Sequence, residues 1–115
     1  MAKFMFVYRG GDKMEDASPE QMQQVMQVWM DWIEKGMKAG WLTDGGDALK
    51  SEGRVVHPDK TVTDGPFAES KELVGGYSMI EAADFNAAVE LAKDCPMILG
   101  GGSVEIRELA LVGKE

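Results

Sequence analysis

The sequence predicts an α+β fold of the ferredoxin-like, split βαβ type: an antiparallel sheet with two helices on one face. Three observations carry that prediction. Apolar residues recur every second position in some stretches and every third or fourth in others, and the two kinds follow one another as β-α-β, a hairpin region, then β-α-β. The 115 residues, 44% of them hydrophobic, suit one domain over 1–115 that buries roughly two-thirds of its unfolded surface. No further element remains to cover the second face of the sheet. A second copy laying its sheet against the first is the simplest cover, so a symmetric homodimer is expected.

The elements follow in order. Phe4, Phe6 and Tyr8 alternate with Met5, Val7 and Arg9, so both sides are apolar until the end, as in a central strand. Ser18-Pro19-Glu20-Gln21 supplies a capping hydroxyl, a first-turn proline and a glutamine at the capping-box position, which starts a helix over 19–39. Met22, Val25, Met26, Trp29, Ile33 and Met37 are read as its inner stripe. Val28, Met30 and Trp32 fall off that stripe and point to a second packing partner. Trp41-Leu42-Thr43 begins the return strand, and Asp44-Gly45-Gly46-Asp47 interrupts it. Two short strands, 53–57 and 61–63, flank a turn at Pro58-Asp59-Lys60. A long strand runs from Leu73 to Ala82. Asp84 caps a second helix, with Phe85, Ala88, Leu91 and Ala92 inward and Pro96 as its stop. In the last strand, Ser103 to Leu111, Val104 and Ile106 alternate with Glu105 and Arg107.

Composition narrows the partners. The formal net charge is −8 and the twelve Lys and Arg residues form no basic run, so direct nucleic-acid binding is disfavoured. The opening residues are interrupted too soon for a signal peptide, and no apolar run approaches the ~20 residues of a membrane span. The expected location is cytoplasmic, with no membrane partner. Cys95 is alone, which excludes an internal disulfide, and before Pro96 it reads as a buried structural thiol.

The segment Val62-Thr63-Asp64-Gly65-Pro66-Phe67-Ala68-Glu69-Ser70-Lys71-Glu72 joins turn chemistry to dense charge between two apolar runs. Asp64 can accept from nearby amides, Gly65 admits positive φ and Pro66 fixes its own. This segment, followed by Leu73-Val74-Gly75-Gly76-Tyr77, resembles the DGPF-type (DGPFAETKE) branch of the YCII-related family, mostly uncharacterised proteins. Trp41-Leu42-Thr43-Asp44-Gly45, the helix ending Cys95-Pro96, and Val104-Glu105-Ile106-Arg107 extend the likeness over nearly the whole chain. The resemblance implies a dimeric α+β barrel and, because genes of this family often neighbour those of extracytoplasmic-function-type sigma factors, a functional link to such a factor. It departs at two points. The first helix lacks the histidine proposed for a His-Asp pair in the better-known branch, whose counterpart falls near Val28, and no proline follows Arg107.

Candidate site residues are weighed against plainer roles. Asp64 is a candidate base or ligand acceptor, or simply a turn cap. His57, the single histidine, is a candidate proton shuttle if Asp59 or Asp64 orients it, or a strand-end residue. Glu69, with Lys71 and Glu72, is a candidate pocket-mouth ligand, or a solvated charge run. Arg107 shares a strand face with Glu105 and is a candidate anion anchor, or half of a structural ion pair. Gly75 and Gly76 remove side chains from a long strand, which fits a ligand or close packing, and Tyr77 shares the face of Gly75. One histidine and one cysteine disfavour zinc, and no regular Mg²⁺ or Ca²⁺ loop is visible. The sequence names no cofactor. Three functions stand: a homodimer that binds or transforms a small polar or anionic metabolite in an inter-sheet cavity, a non-catalytic regulatory or interaction protein, and a stand-alone structural dimer.

Overall fold

A computed structural model describes residues 1–10, 17–65 and 73–111. The order of elements is β1 (Ala2–Gly10), α1 (Pro19–Ala39), β2 (Leu42–Asp44), β3 (Gly53–Val56), β4 (Val62–Gly65), β5 (Val74–Ala82), α2 (Phe85–Lys93), α3 (Pro96–Leu99) and β6 (Gly102–Glu108). Four strands form an antiparallel sheet in the order β2-β5-β1-β6, and β3-β4 form a separate hairpin. This is the ferredoxin-like arrangement, with the helices on one face.

The alternation in the strands decides the layering. Phe4, Phe6 and Tyr8 of β1 and Gly76, Ser78, Ile80 and Ala82 of β5 are buried beneath the helices, whereas Met5, Val7, Tyr77 and Met79 on the opposite face are half-buried. β1 is therefore central, as its pattern predicts, but among the described residues only one of its faces is sealed.

Helix α1 begins as expected: Ser18 Oγ accepts from the Gln21 amide at 3.1 Å, and Gln21 Oε1 accepts from the Ser18 amide at 2.9 Å. Gly40 ends it in the left-handed region at φ 88°, where a side chain would be strained. The expected inner stripe needs correction. Trp32 is buried with Gly36, and Trp29 and Ile33 pack beside them, while Met22, Val25, Met26 and Met37 are exposed. The cause is Gly36: a Cβ there would lie 2.8 Å from the Trp41 ring, so the missing side chain admits Trp41 and pulls Trp32 inward. Tyr8, Trp29, Trp32 and Trp41 then form an edge-to-face series with centroids 5.0, 5.9 and 5.2 Å apart.

Other boundaries shift slightly. Asp84 caps α2 by accepting from Ala87 N at 2.8 Å, and Ala88 and Ala92 are buried as expected, but Phe85 is half exposed. Pro96 does not simply stop that helix; it opens the extra turn α3, because a first-turn proline gives up an amide that has no helical partner anyway. Asp64 and Gly65 lie within β4 and not in a turn. The residues of the DGPF signature after Gly65, where a turn is expected, lie outside those described. Among the described residues no helix is long and apolar enough to cross a membrane.

Candidate functional site

The face of the sheet opposite the helices carries a charged array built by strand register alone. β6 pairs with β1 so that Glu105 stands opposite Val7 and Arg107 opposite Met5. Glu105 reaches both flanking guanidiniums: Arg9 Nε at 3.1 Å and Arg107 Nη1 at 3.3 Å. Hydrogen bonds from Arg107 and from Arg9 hold the Glu105 carboxyl below the usual carboxylate range. Arg107 is 72% exposed in its side chain, and among the described residues it meets Glu105 through one nitrogen only. Its guanidinium has five N–H donors, so several remain to meet an anion over this face.

Arg9 also borders a cleft of about 300 Å³ at the end of β1. The bulge after β2 creates it. Gly46 (φ 69°) turns the chain back along β5 where a Cβ would collide with the Tyr77 carbonyl, and Leu49 N then donates to Gly75 O at 2.8 Å. This carries Lys50 and Glu52 to the root of the β3-β4 hairpin, where Arg54 joins them. Gly65 and Leu73, the described residues on either side of 66–72, line the same cleft.

The sequence-predicted residues separate into groups. Arg107 and Tyr77 stand on the open sheet face, as does Gly75, where a Cβ would meet, among the described residues, only Tyr8 O, at 3.9 Å. Gly76 faces the other way, and a Cβ on it would lie 2.9 Å from Asp47 O and 3.4 Å from Ala48 Cα. The backbone of the bulge fills that space. Asp64 is 92% exposed and pairs with Arg54, its cross-strand partner, at 3.5 Å. His57 Nε2 lies 2.9 Å from Thr63 Oγ1. Because Thr63 and Asp64 are consecutive in β4, their side chains point to opposite faces of the hairpin, so His57 and Asp64 do not form a pair within one chain. Asp59 accepts from the Thr61 amide at 3.0 Å and its hydroxyl at 2.6 Å, bonds that lower its pKa. Its role is to fix the 57–61 turn, in which Lys60 adopts φ 71°. Glu69 lies outside the described residues. Among those described, no group of three or more His, Cys, Asp or Glu side chains is placed to hold a metal ion.

Residues 3–111 match the model of the YCII-related domain. The chain belongs to the YCII-related family. A relative within reach of direct comparison is an uncharacterised protein of Rhizobium meliloti (strain 1021), 43% identical over 51 residues, which are 44% of this chain and 41% of that relative. The chain therefore aligns with less than half of that relative's length. In this YCII-related chain the sequence reading missed Arg9, Lys50 and Arg54. Arg9 had a signal, since it ends a strand on the same alternation as Met5 and Val7, but its meeting with Glu105 depends on the β1-β6 register.

Proposed function

We propose that this protein binds a small anionic metabolite as a homodimer, in a cavity between the open sheet faces of two copies, with Arg107 as the anchor and Glu105 as its positioning carboxylate. The observation that carries the reading is Arg107 on that face, 72% exposed and held to Glu105 through one nitrogen among the described residues, beside the apolar floor of Met5, Val7, Tyr77 and Met79. A guanidinium brought under a second sheet costs several kcal/mol unless an anion meets it, and a bound carboxylate or phosphate would meet the Arg107 donors that Glu105 leaves. The shape of the chain supports the dimer. It is only 18 Å thick across a 46 × 43 Å plate, the depth of one helix layer on one sheet. Binding, and not a chemical step, is the function proposed, because the two sequence-predicted acid–base residues lie on opposite faces of the hairpin.

A second reading, a non-catalytic interaction protein of the DGPF type acting alongside a sigma factor, is favoured by α1. Its outward Val28 and Met30, with Met22 and Met26, leave a deformable apolar surface uncovered.

Two measurements test the first reading. Sedimentation at micromolar concentration should give twice the chain mass, and Met79→Asp should abolish the dimer by placing an unpaired charge on the shared floor. Calorimetric titration with phosphate and small dicarboxylates should show binding that Arg107→Met weakens roughly tenfold or more, the scale of a lost charge-assisted hydrogen bond. A monomer, or a dimer whose anion affinity is indifferent to Arg107→Met, refutes it.

A further inference from the structure

We propose that the cleft at the root of the β3-β4 hairpin binds a small carboxylate with an apolar body, branched or aromatic, with Lys50 as its counter-charge. The site lies within one chain, apart from Arg107, and so goes beyond the reading above.

Walls and charge point to the same ligand class. Leu49 and Leu73 are 50% and 38% exposed, yet both line the concave space of about 300 Å³, together with Val55 and Val74. That volume is at the small end for ligand sites, which are mostly apolar with a few polar groups. An apolar body entering there removes surface from water on both sides. Arg9, Lys50 and Arg54 bring the cations. The two guanidiniums already meet acids: Arg54 meets Glu52 at 3.1 Å and Asp64 at 3.5 Å, and Arg9 meets Glu105 at 3.1 Å. Lys50 forms no ion pair among the described residues, so an entering carboxylate displaces no acid from its ammonium. Its position is fixed by the backbone, because the Ala48–Gly76 bridge and the bond from Leu49 N to Gly75 O at 2.8 Å hold the bulge against β5.

Gly53 supplies an independent observation. It stands opposite Gly65 in the hairpin register, on the face that Val55 shares and opposite to the outer face of Arg54 and Asp64. A glycine inside a strand weakens it, and often marks a place where a ligand or another backbone comes close. Gly65 has a packing reason, since a Cβ there would lie 2.7 Å from Val55 Cγ2. Gly53 has none of that kind. Its φ is not positive, and among the described residues a Cβ on it would meet only the Gly65 carbonyl, at 3.6 Å, an ordinary contact. Neither strain nor crowding calls for glycine at 53; the missing side chain keeps the cleft open.

The test follows backbone amide resonances by heteronuclear NMR while benzoate, isovalerate, acetate or inorganic phosphate is added. Benzoate and isovalerate should give saturable shifts centred on Leu49, Lys50 and Val55. Both should bind roughly tenfold tighter than acetate through the apolar wall, and tighter than phosphate. Lys50→Met should weaken benzoate roughly tenfold, the scale of a lost charge-assisted hydrogen bond. Gly53→Val should abolish its binding by filling the cleft. The near-ultraviolet signal of the Trp29–Trp32–Trp41 cluster should be unchanged in both variants, and Arg107→Met should leave benzoate affinity as it is. Absence of saturable shifts, shifts that ignore both Lys50→Met and Gly53→Val, or acetate or phosphate bound as tightly as benzoate overturns the cleft site and leaves the sheet-face reading to its own titrations. Benzoate binding that Arg107→Met removes and Lys50→Met spares overturns it as well, by moving the carboxylate over the sheet.

Discussion

The Tyr8 hydroxyl donates to Ser78 Oγ at 2.7 Å, and Ser78 Oγ donates in turn to the Gly45 carbonyl at 2.7 Å. Ser78 is fully buried, so this relay ties the central strand, through β5, to the bulge that shapes the cleft. Ser78→Ala would leave the Tyr8 hydroxyl and the Gly45 carbonyl without this partner inside the core. It should cost about 1–3 kcal/mol in urea unfolding. Tyr8→Phe keeps the Ser78–Gly45 bond and should cost less. Equal or reversed costs would show that the relay does not hold the bulge.

Alkaline pH tests the same corner of the core. Burial pushes the Cys95 thiol up to about 11 and raises the Tyr8 phenol further. Both are acids kept neutral in the folded state, so between their unfolded and folded pKa values the unfolded chain binds fewer protons. Stability is then fully present below the unfolded thiol value near 8.5 and declines as pH rises through the interval to about 11. Unfolding free energies measured from pH 7 to 10.5 should be level at first and then fall. Cys95→Ala should remove the earlier part of the decline and leave the part due to Tyr8.

The two adjacent glycines of β5 are predicted to differ. A Cβ on Gly76 meets backbone atoms of Asp47 and Ala48, which have no rotamer to move aside. Gly76→Ala should cost roughly 1–3 kcal/mol, as overpacking does. Gly75 has open space and no positive φ, so Gly75→Ala should be neutral or stabilising by up to about 1 kcal/mol through the unfolded chain. Thermal melts of the two variants decide it. Equal losses would mean that the space beside Gly75 is filled as well.

Much of the fold was legible because period and capping act locally. Ser18-Pro19-Glu20-Gln21 fixed the start of α1, and the alternation of β1 and β6 put Phe4, Phe6 and Val104 on the helix side and Arg107 on the other. What sequence could not show are the contacts made by tertiary packing. Gly36 reads as a helix flaw until Trp41 is seen to occupy its place, and that one substitution of ring for side chain moves Trp32 into the core. The site follows the same division. The face carrying Arg107 was readable from a two-residue period, whereas Arg9 joined Glu105 only through a strand 96 residues away. The cleft arises from the bulge at Gly45-Gly46, whose path along β5 no spacing rule predicts.

Asp64 and Arg107 allow the ion-pair role of charge in this chain to be tested apart from the proposed ligand role. Asp64 is almost fully exposed beside Arg54, and such pairs contribute less than about 1 kcal/mol because water screens them and two long side chains must be held in place. Asp64→Asn should therefore leave stability within about 0.5 kcal/mol of wild type at moderate salt, with any remainder vanishing at 1 M salt as the Debye length shrinks to about 3 Å. It should also leave anion affinity in place, since Asp64 stands on the outer face of the hairpin and Arg107 over the sheet. Paired titrations of Asp64→Asn and Arg107→Met with the same anions make the comparison direct. Loss of affinity in Asp64→Asn with Arg107→Met unaffected would move the ligand from the sheet face to the hairpin, and the anchor with it.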